Sequence, residues 1–272
     1  MKYLKALILG IVEGITEWLP VSSTGHLILF EQFLKLDVSE DFWNLFLVVI
    51  QLGAILAVVI IFWNQIFPFG IKKKETKIYI KKDIFTMWLK IIVACIPAAV
   101  VGLLFDEKID ELFYNPLCIS IALIVVGIAF IIVERKKLSP KITDITDLTF
   151  NTAFLIGLFQ LIAAIFPGTS RSGATIIGGL ILGVSRTVAA EFTFYLAIPV
   201  MLGASLLKLL KFGLNFTGFE LAILFIGLIS AFVISIFIIK FLMNFIKKHD
   251  FKVFAYYRIV LGIIVLGLSI FA

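Results

Sequence analysis

Charge is scarce in this chain of 272 residues: Asp, Glu, Lys and Arg make up only 15% of it, against about 25% in an average soluble protein. That scarcity excludes a soluble domain of this size. Cysteine occurs twice, at Cys95 and Cys118, both within or beside apolar stretches. Each reads as a small buried hydrophobe, which excludes a disulfide framework or a cysteine metal cluster. Histidine also occurs twice, at His26 and His249. The start, Met1 to Glu13, is apolar but lacks a small-residue cleavage site and runs straight into polar sequence. It is therefore expected to be mature protein rather than a signal peptide.

What is abundant is apolar sequence, at 61% hydrophobic with a mean hydropathy of +1.13. An integral membrane protein is the class that fits. The net charge of +6 does not indicate nucleic acid, because the basic residues gather in a few loops beside membrane segments.

A straight crossing needs about 20 apolar residues. Six segments qualify: roughly 43–63, 87–105, 116–134, 188–210, 220–240 and 257–272, the last with a start expected a few residues upstream. Three loops carry most of the Lys and Arg. Loop 64–90 holds Lys72, Lys73, Lys74, Lys77, Lys81, Lys82 and Lys90; loop 134–147 holds Arg135, Lys136, Lys137 and Lys141; loop 240–258 holds Lys240, Lys247, Lys248, Lys252 and Arg258. Asp37, Glu40 and Asp41 mark one further loop, and Asp106, Glu107, Asp110 and Glu111 another. The positive-inside rule places the basic loops in the cytoplasm. Both termini then lie outside, with Lys2 and Lys5 as exceptions to the rule. The lysine runs read as topology signals and headgroup contacts. Arg186 and Glu191 at the start of a span read as an anchor or a local ion pair.

Two polar strings interrupt the apolar sequence. One is Glu13-Gly-Ile-Thr-Glu17-Trp-Leu-Pro20-Val-Ser-Ser23-Thr-Gly-His26; the other is Pro167-Gly-Thr-Ser170-Arg171-Ser-Gly-Ala-Thr175. The flanking segments, 4–18 with 26–36 and 150–166 with 174–184, are too short to cross. Each pair is expected to form a re-entrant helix–loop–helix hairpin, since non-helical backbone at membrane depth must be lined by protein or water. Ionisable groups at that depth are costly and usually carry function. A shift of 147 residues superimposes the strings without a gap: Ala6 meets Ala153, Gly10 meets Gly157, Pro20 meets Pro167 and Ser23 meets Ser170. Each half would then be one hairpin and three spans. An odd number of crossings inverts the second half, as in many transporters. The expected fold is an all-α polytopic membrane protein in a single domain, residues 1–272. It would have six transmembrane helices, two re-entrant hairpins and an inverted-topology repeat, about 1–136 and about 148–272.

Facing strings would make one site. Glu13 and Glu17 are four residues apart and share a helix face. They can hold Mg²⁺ or Ca²⁺ with water and phosphate completing the shell. Alternatively, one orients His26 or acts as a general base. His26 follows Ser23 by three residues, close enough for a hydroxyl–imidazole contact that would activate Ser23 as a nucleophile. The imidazole could equally be the nucleophile or protonate a leaving phosphate. Ser22 and Thr24 add hydroxyls. In the second string Gly168 and Gly173 let backbone amides approach an anion, at the N-terminus of the helix that follows. Thr169, Ser170, Ser172 and Thr175 supply hydroxyl donors, and Arg171 a planar charged fork for phosphate. These groups suit phosphate chemistry. A lipid or anion transporter built on the same inverted repeat is the alternative, though carboxylates disfavour plain anion binding.

Together, Glu13-x-x-x-Glu17, Ser22-Ser-Thr-Gly-His26 and Pro167-Gly-Thr-Ser-Arg-Ser-Gly-Ala-Thr175 resemble the signatures of the undecaprenyl-diphosphate phosphatase family of the bacitracin-resistance type. The resemblance covers essentially the whole chain. It implies hydrolysis of a C55 polyprenyl diphosphate to the monophosphate and inorganic phosphate, recycling of the cell-wall lipid carrier, and bacitracin tolerance. It further implies a divalent metal, a plasma-membrane location and a site opening outward. A homodimer is left open. The phosphatidic-acid type of membrane phosphatase is similar only in Ser23-Thr24-Gly25-His26. It needs a second His several residues after a Ser-Arg pair, and neither Ser170-Arg171 nor Ser185-Arg186 has one.

Overall fold

The computed structural model describes the chain apart from residues 73–76, 214 and 272, and apart from the side chains of residues 28, 31–33, 71, 72, 77, 78, 106, 107, 110, 270 and 271. Lys73 and Lys74, and the side chains of Lys72, Lys77, Asp106, Glu107 and Asp110, therefore lie outside the described residues.

The protein is an all-α polytopic membrane protein. Among the described residues six helices are long and apolar enough to cross a membrane: α3 (Glu40–Ile61), the Lys82–Phe105 part of α5 (Lys82–Phe113), α6 (Pro116–Arg135), α9 (Arg186–Phe212), α10 (Gly218–Phe245) and α11 (Lys252–Phe271). Their starts follow local chemistry. Ser39 caps α3 by accepting from Phe42 N, Asn115 caps α6 just before Pro116, and Thr217 with Glu220 forms a reciprocal capping box on α10. Such caps satisfy amides that a helix leaves unpaired. α5 and α11 each begin five residues earlier than the hydropathy reading, at Lys82 and Lys252. Lys90 is thus no loop residue: it lies buried in α5 and donates to the Thr146 carbonyl at 3.1 Å.

Four shorter helices form two broken pairs, α1 (Lys2–Thr16) with α2 (Ser23–Leu34), and α7 (Phe150–Ile165) with α8 (Arg171–Ile181). At 1.5 Å per residue the longest is about 24 Å, short of a hydrocarbon core of about 30 Å. A short helix α4 (Trp63–Ile66) and an antiparallel hairpin, β1 (Phe69–Lys72) with β2 (Lys77–Ile80), fill the loop before α5. The hairpin registers Phe69 against Ile80 and was not foreseen from hydropathy.

Helices meet closely where glycine removes the side chain, as expected of packing in lipid. A Cβ on Gly10 of α1 would come within 2.4 Å of the Gly227 carbonyl oxygen on α10, and one on Gly157 of α7 within 2.3 Å of that of Ala94 on α5. The core behind the two breaks is aromatic. Trp18 meets Phe194 edge-on at 5.3 Å, and Phe62 packs on both Phe194 and Tyr195. Lys2 and Lys5, the exceptions to the charge rule, are held locally. Lys2 pairs with Asp37 at 2.9 Å and Lys5 donates to the Lys35 carbonyl.

Candidate active site

Both breaks use one device. Ser22 and Ser170 adopt positive φ, 73° and 69°. Each then accepts on its Oγ from the amide three residues on, Gly25 N and Gly173 N, both at 3.2 Å. Left-handed backbone costs a residue with a side chain about 1–3 kcal/mol and persists only where surrounding contacts enforce it. The two caps stand one residue further apart than the gapless alignment implies. Ser22 thus corresponds to Ser170, and Ser23 to Arg171, each the first residue of its helix.

Those two first residues converge on one carboxylate. Ser23 Oγ donates to Glu17 Oε2 at 3.0 Å, and Arg171 Nη2 pairs with Glu17 Oε1 at 2.9 Å. Arg171 Nη1 donates to the Thr193 carbonyl at 2.8 Å. Glu17 is 7% exposed, so water screens this arrangement little.

His26 is not on Ser23. Its Nδ1 lies 2.7 Å from the Ser22 carbonyl and its Nε2 lies 2.6 Å from Tyr257 Oη. A carbonyl only accepts, so Nδ1 carries a proton and donates to Ser22, leaving Nε2 to share a hydrogen bond with the tyrosine hydroxyl. The expected hydroxyl–imidazole contact gives way because α2 turns the imidazole back over its own N-terminus and onto α11. Glu17 stands where that reading put His26.

Several residues expected to donate to phosphate make contacts within the protein in this structure. Ser172 Oγ donates to the Glu17 carbonyl at 3.2 Å, stitching one string to the other. Thr175 Oγ1 bonds back to the Arg171 carbonyl and meets Thr193 Oγ1 at 2.8 Å, behind the guanidinium. Ser22 and Ser170 are caps, and Thr169 is buried with its carbonyl engaged. Gly168 is required by its φ of 89° and by a Cβ approach of 2.7 Å to the Ile119 carbonyl oxygen. Ser23 and Arg171 converge on Glu17; Thr24 is half-buried on the first turn of α2.

Arg258 was read as part of a cytoplasmic basic loop. The structure corrects this: it is wholly buried in α11. Its guanidinium donates to the carbonyls of Pro20 at 3.1 Å, Gly168 at 3.0 Å and Thr169 at 2.8 Å, clamping the two breaks to each other. The available signal was an arginine at the edge of the last apolar segment. Arg186 is likewise paired across helices, with Glu134 of α6 rather than with Glu191.

Glu13, one turn before Glu17, is fully buried, and neither carboxylate oxygen has a hydrogen-bond partner. Two hard oxygen donors on one helix face fit a divalent cation whose shell is completed by water and phosphate. Among the described residues no third His, Cys, Asp or Glu joins them.

The site of this polytopic membrane protein thus gathers a half-buried arginine and serine hydroxyl with two buried carboxylates, a set suited to phosphate chemistry. Comparison with known proteins is more specific. Residues 6–264 match the family described as bacitracin resistance protein BacA, and the chain belongs to that family. It is 62% identical over 268 residues to Undecaprenyl-diphosphatase 1 of Clostridium acetobutylicum, covering 98% of this chain and 97% of the relative. It is 61% identical to Undecaprenyl-diphosphatase of Desulfitobacterium hafniense over 96% of this chain and 94% of the relative. An Enterococcus faecalis Undecaprenyl-diphosphatase is 58% identical over 98% and 96%.

Proposed function

We propose that this chain hydrolyses undecaprenyl diphosphate to undecaprenyl phosphate and inorganic phosphate, recycling the lipid carrier and conferring bacitracin tolerance. The observation that carries the chemistry is Glu17, whose two oxygens hold Ser23 and Arg171. The names of relatives at 53–62% identity supply the substrate.

In this reading the terminal phosphate takes the Arg171 guanidinium, which suits it as a planar charged fork. Ser23 Oγ attacks the terminal phosphorus and passes its proton to Glu17 as general base. The P–O bond to the inner phosphate breaks and undecaprenyl phosphate leaves. Water then attacks the phosphoserine, freeing inorganic phosphate and returning the proton to Ser23. Arg171 stabilises charge on the phosphoryl oxygens in both steps. A divalent cation held by Glu13 and Glu17 would supply charge neutralisation between carboxylates and diphosphate. His26 and Tyr257 hold the first turn of α2, and so Ser23, in place.

The helix packing supports an inverted repeat of two halves. α1 lies against α10 as α7 lies against α5. The α6–α11 contact is reciprocal: a Cβ on Gly127 would meet Ile259 at 2.7 Å and the Ala255 carbonyl oxygen at 2.9 Å, and one on Gly262 would meet Ile124 and the Ser120 carbonyl oxygen at the same distances. In this arrangement the broken pairs are re-entrant and meet at membrane depth. The basic loops then face the cytoplasm of a plasma membrane and the site opens outward.

The test is phosphate release from C55 diphosphate by the purified chain in detergent, where transport has no sidedness. Release abolished by Arg171→Ala, with the variant folded, is the expected result. Undiminished release by that variant sinks the scheme, and no release by the native chain favours a transporter.

A further inference from the structure

Away from the broken helices, a cavity of about 320 Å³ opens among the ends of α6, α9 and α10. Glu134, Lys137, Ser185, Arg186, Thr187 and Lys247 provide its polar wall. Its single carboxylate is fully engaged. Glu134 accepts from Nε and Nη2 of Arg186 and from Phe251 N. Lys137 and Lys247 are exposed and leave the wall with an excess of positive charge. Lysines just past helix C-termini are ordinary partners of the helix dipole. Here two such lysines, from α6 and α10, share one cavity with the N-terminus of the 27-residue α9.

The cavity is built rather than incidental. Lys137 holds a positive φ of 43°, which turns the chain after α6 back toward α9. That arm is fastened by Lys141 N and Ile142 N, which both donate to the Gly183 carbonyl, and by Ser185 N, which donates to Ile142. Nearby acids offset part of this charge: Asp250, paired with Lys252 at 2.8 Å, also faces Arg186, and the half-buried Glu191 of α9 faces Lys247. The basic loops that frame the cavity are those the charge rule assigns to one membrane face, where phosphate headgroups lie.

We infer that this cavity binds the phosphate of an anionic ligand, a lipid headgroup or free phosphate, at a second site apart from the Glu17–Arg171 centre. Anionic phospholipid meets the geometry directly, because its acyl chains would run along the lipid-facing sides of α6 and α10. Exposed Phe241 and Ile132 lie along those helices.

The experiment uses the purified full chain and, to remove phosphate binding at the catalytic centre, its Arg171→Ala variant. Each is titrated in detergent with short-chain phosphatidylglycerol, with phosphatidylcholine and with inorganic phosphate at constant ionic strength. The thermal midpoint is followed. Phosphatidylglycerol should raise the midpoint of both proteins, and phosphatidylcholine should not. Lys137→Asn with Lys247→Gln should weaken that response about 25-fold, roughly five-fold per lysine, since both are exposed and their loss does not threaten folding. Lys81→Gln with Lys82→Gln, outside the cavity, should leave it unchanged. An equal response of Arg171→Ala to inorganic phosphate, lost in the same double variant, assigns the site to free phosphate instead. Failure of both ligands to stabilise, or a response undiminished by the double variant, overturns the inference.

Discussion

A Cβ on Gly173 would sit 2.9 Å from Nη1 of Arg258, and no closer neighbour limits that position. The guanidinium tip of a surface arginine would swing aside. This one is tied to three carbonyls and cannot move without releasing them. Gly173→Ala should therefore act as an overpacking substitution costing about 1–3 kcal/mol. It should also lower turnover, because α8 carries Arg171 on the same turn. Thermal unfolding together with phosphate release measures both; a fully stable, fully active variant would show that Arg258 is free to shift.

Arg258→Ala should destabilise by about 3 kcal/mol or more, because hydrogen bonds to a charged group contribute about 1.5–3 kcal/mol each and buried carbonyls are left unsatisfied. Arg258→Lys should recover part of that, since an ammonium can still donate but cannot span Pro20, Gly168 and Thr169 in a planar fork. Denaturant unfolding in micelles ranks the three proteins. Equal stability of Ala and Lys variants would contradict the clamp.

The membrane plan was legible because hydropathy and loop charge are properties of long segments, and they locate α3, α6, α9 and α10 to within a few residues, α10 excepted at its end. The two strings were legible because Glu17, Ser23 and Arg171 are costly in apolar sequence. What escaped was whatever depended on tertiary partners. Arg258 stands next to a basic loop and is indistinguishable there from a topology signal. Ser22 and Ser170 look like ligand hydroxyls, and only their backbone angles reveal them as caps. Spacing put His26 within reach of Ser23, yet the direction of α2 sends the ring to Tyr257. Lys90, inside the apolar span of α5, finds its acceptor on Thr146, 56 residues away.

Glu17→Gln preserves shape but removes the proton acceptor for Ser23. Turnover should fall about 10²- to 10⁴-fold, the usual contribution of a positioned general base. Ser23→Ala should fall at least as far. Because the two act as one unit, the double variant should be no worse than Ser23→Ala alone. Rates that multiply, or full activity of Ser23→Ala, would remove Ser23 from the nucleophile role.

Tyr257→Phe deletes one hydrogen bond to His26 while keeping the stacked ring, which lies 5.5 Å from the imidazole. If His26 only positions α2, the loss should be about five-fold in kcat, in line with one hydrogen bond of about 1 kcal/mol. Rapid-quench labelling of the native protein should place phosphate on Ser23. Label recovered on His26 would make the imidazole the nucleophile and reverse the assignment.

Glu13 is the group whose role the metal proposal explains, since both its buried oxygens lack a partner. Chelation of the purified protein should abolish phosphate release, and Mg²⁺ or Ca²⁺ should restore it. Glu13→Gln keeps the volume but gives up one anionic donor, so the cation concentration for half-restoration should rise about ten-fold or more, with the rate at saturation less affected. Direct calorimetric titration of the chelated protein with Mg²⁺ provides a readout that does not pass through activity. Glu13→Gln is close to isosteric and breaks no side-chain hydrogen bond, so it should leave the stability of the metal-free protein little changed. A variant that binds Mg²⁺ as tightly as the native chain would separate Glu13 from the metal and leave its burial to be explained by the Arg171 charge alone.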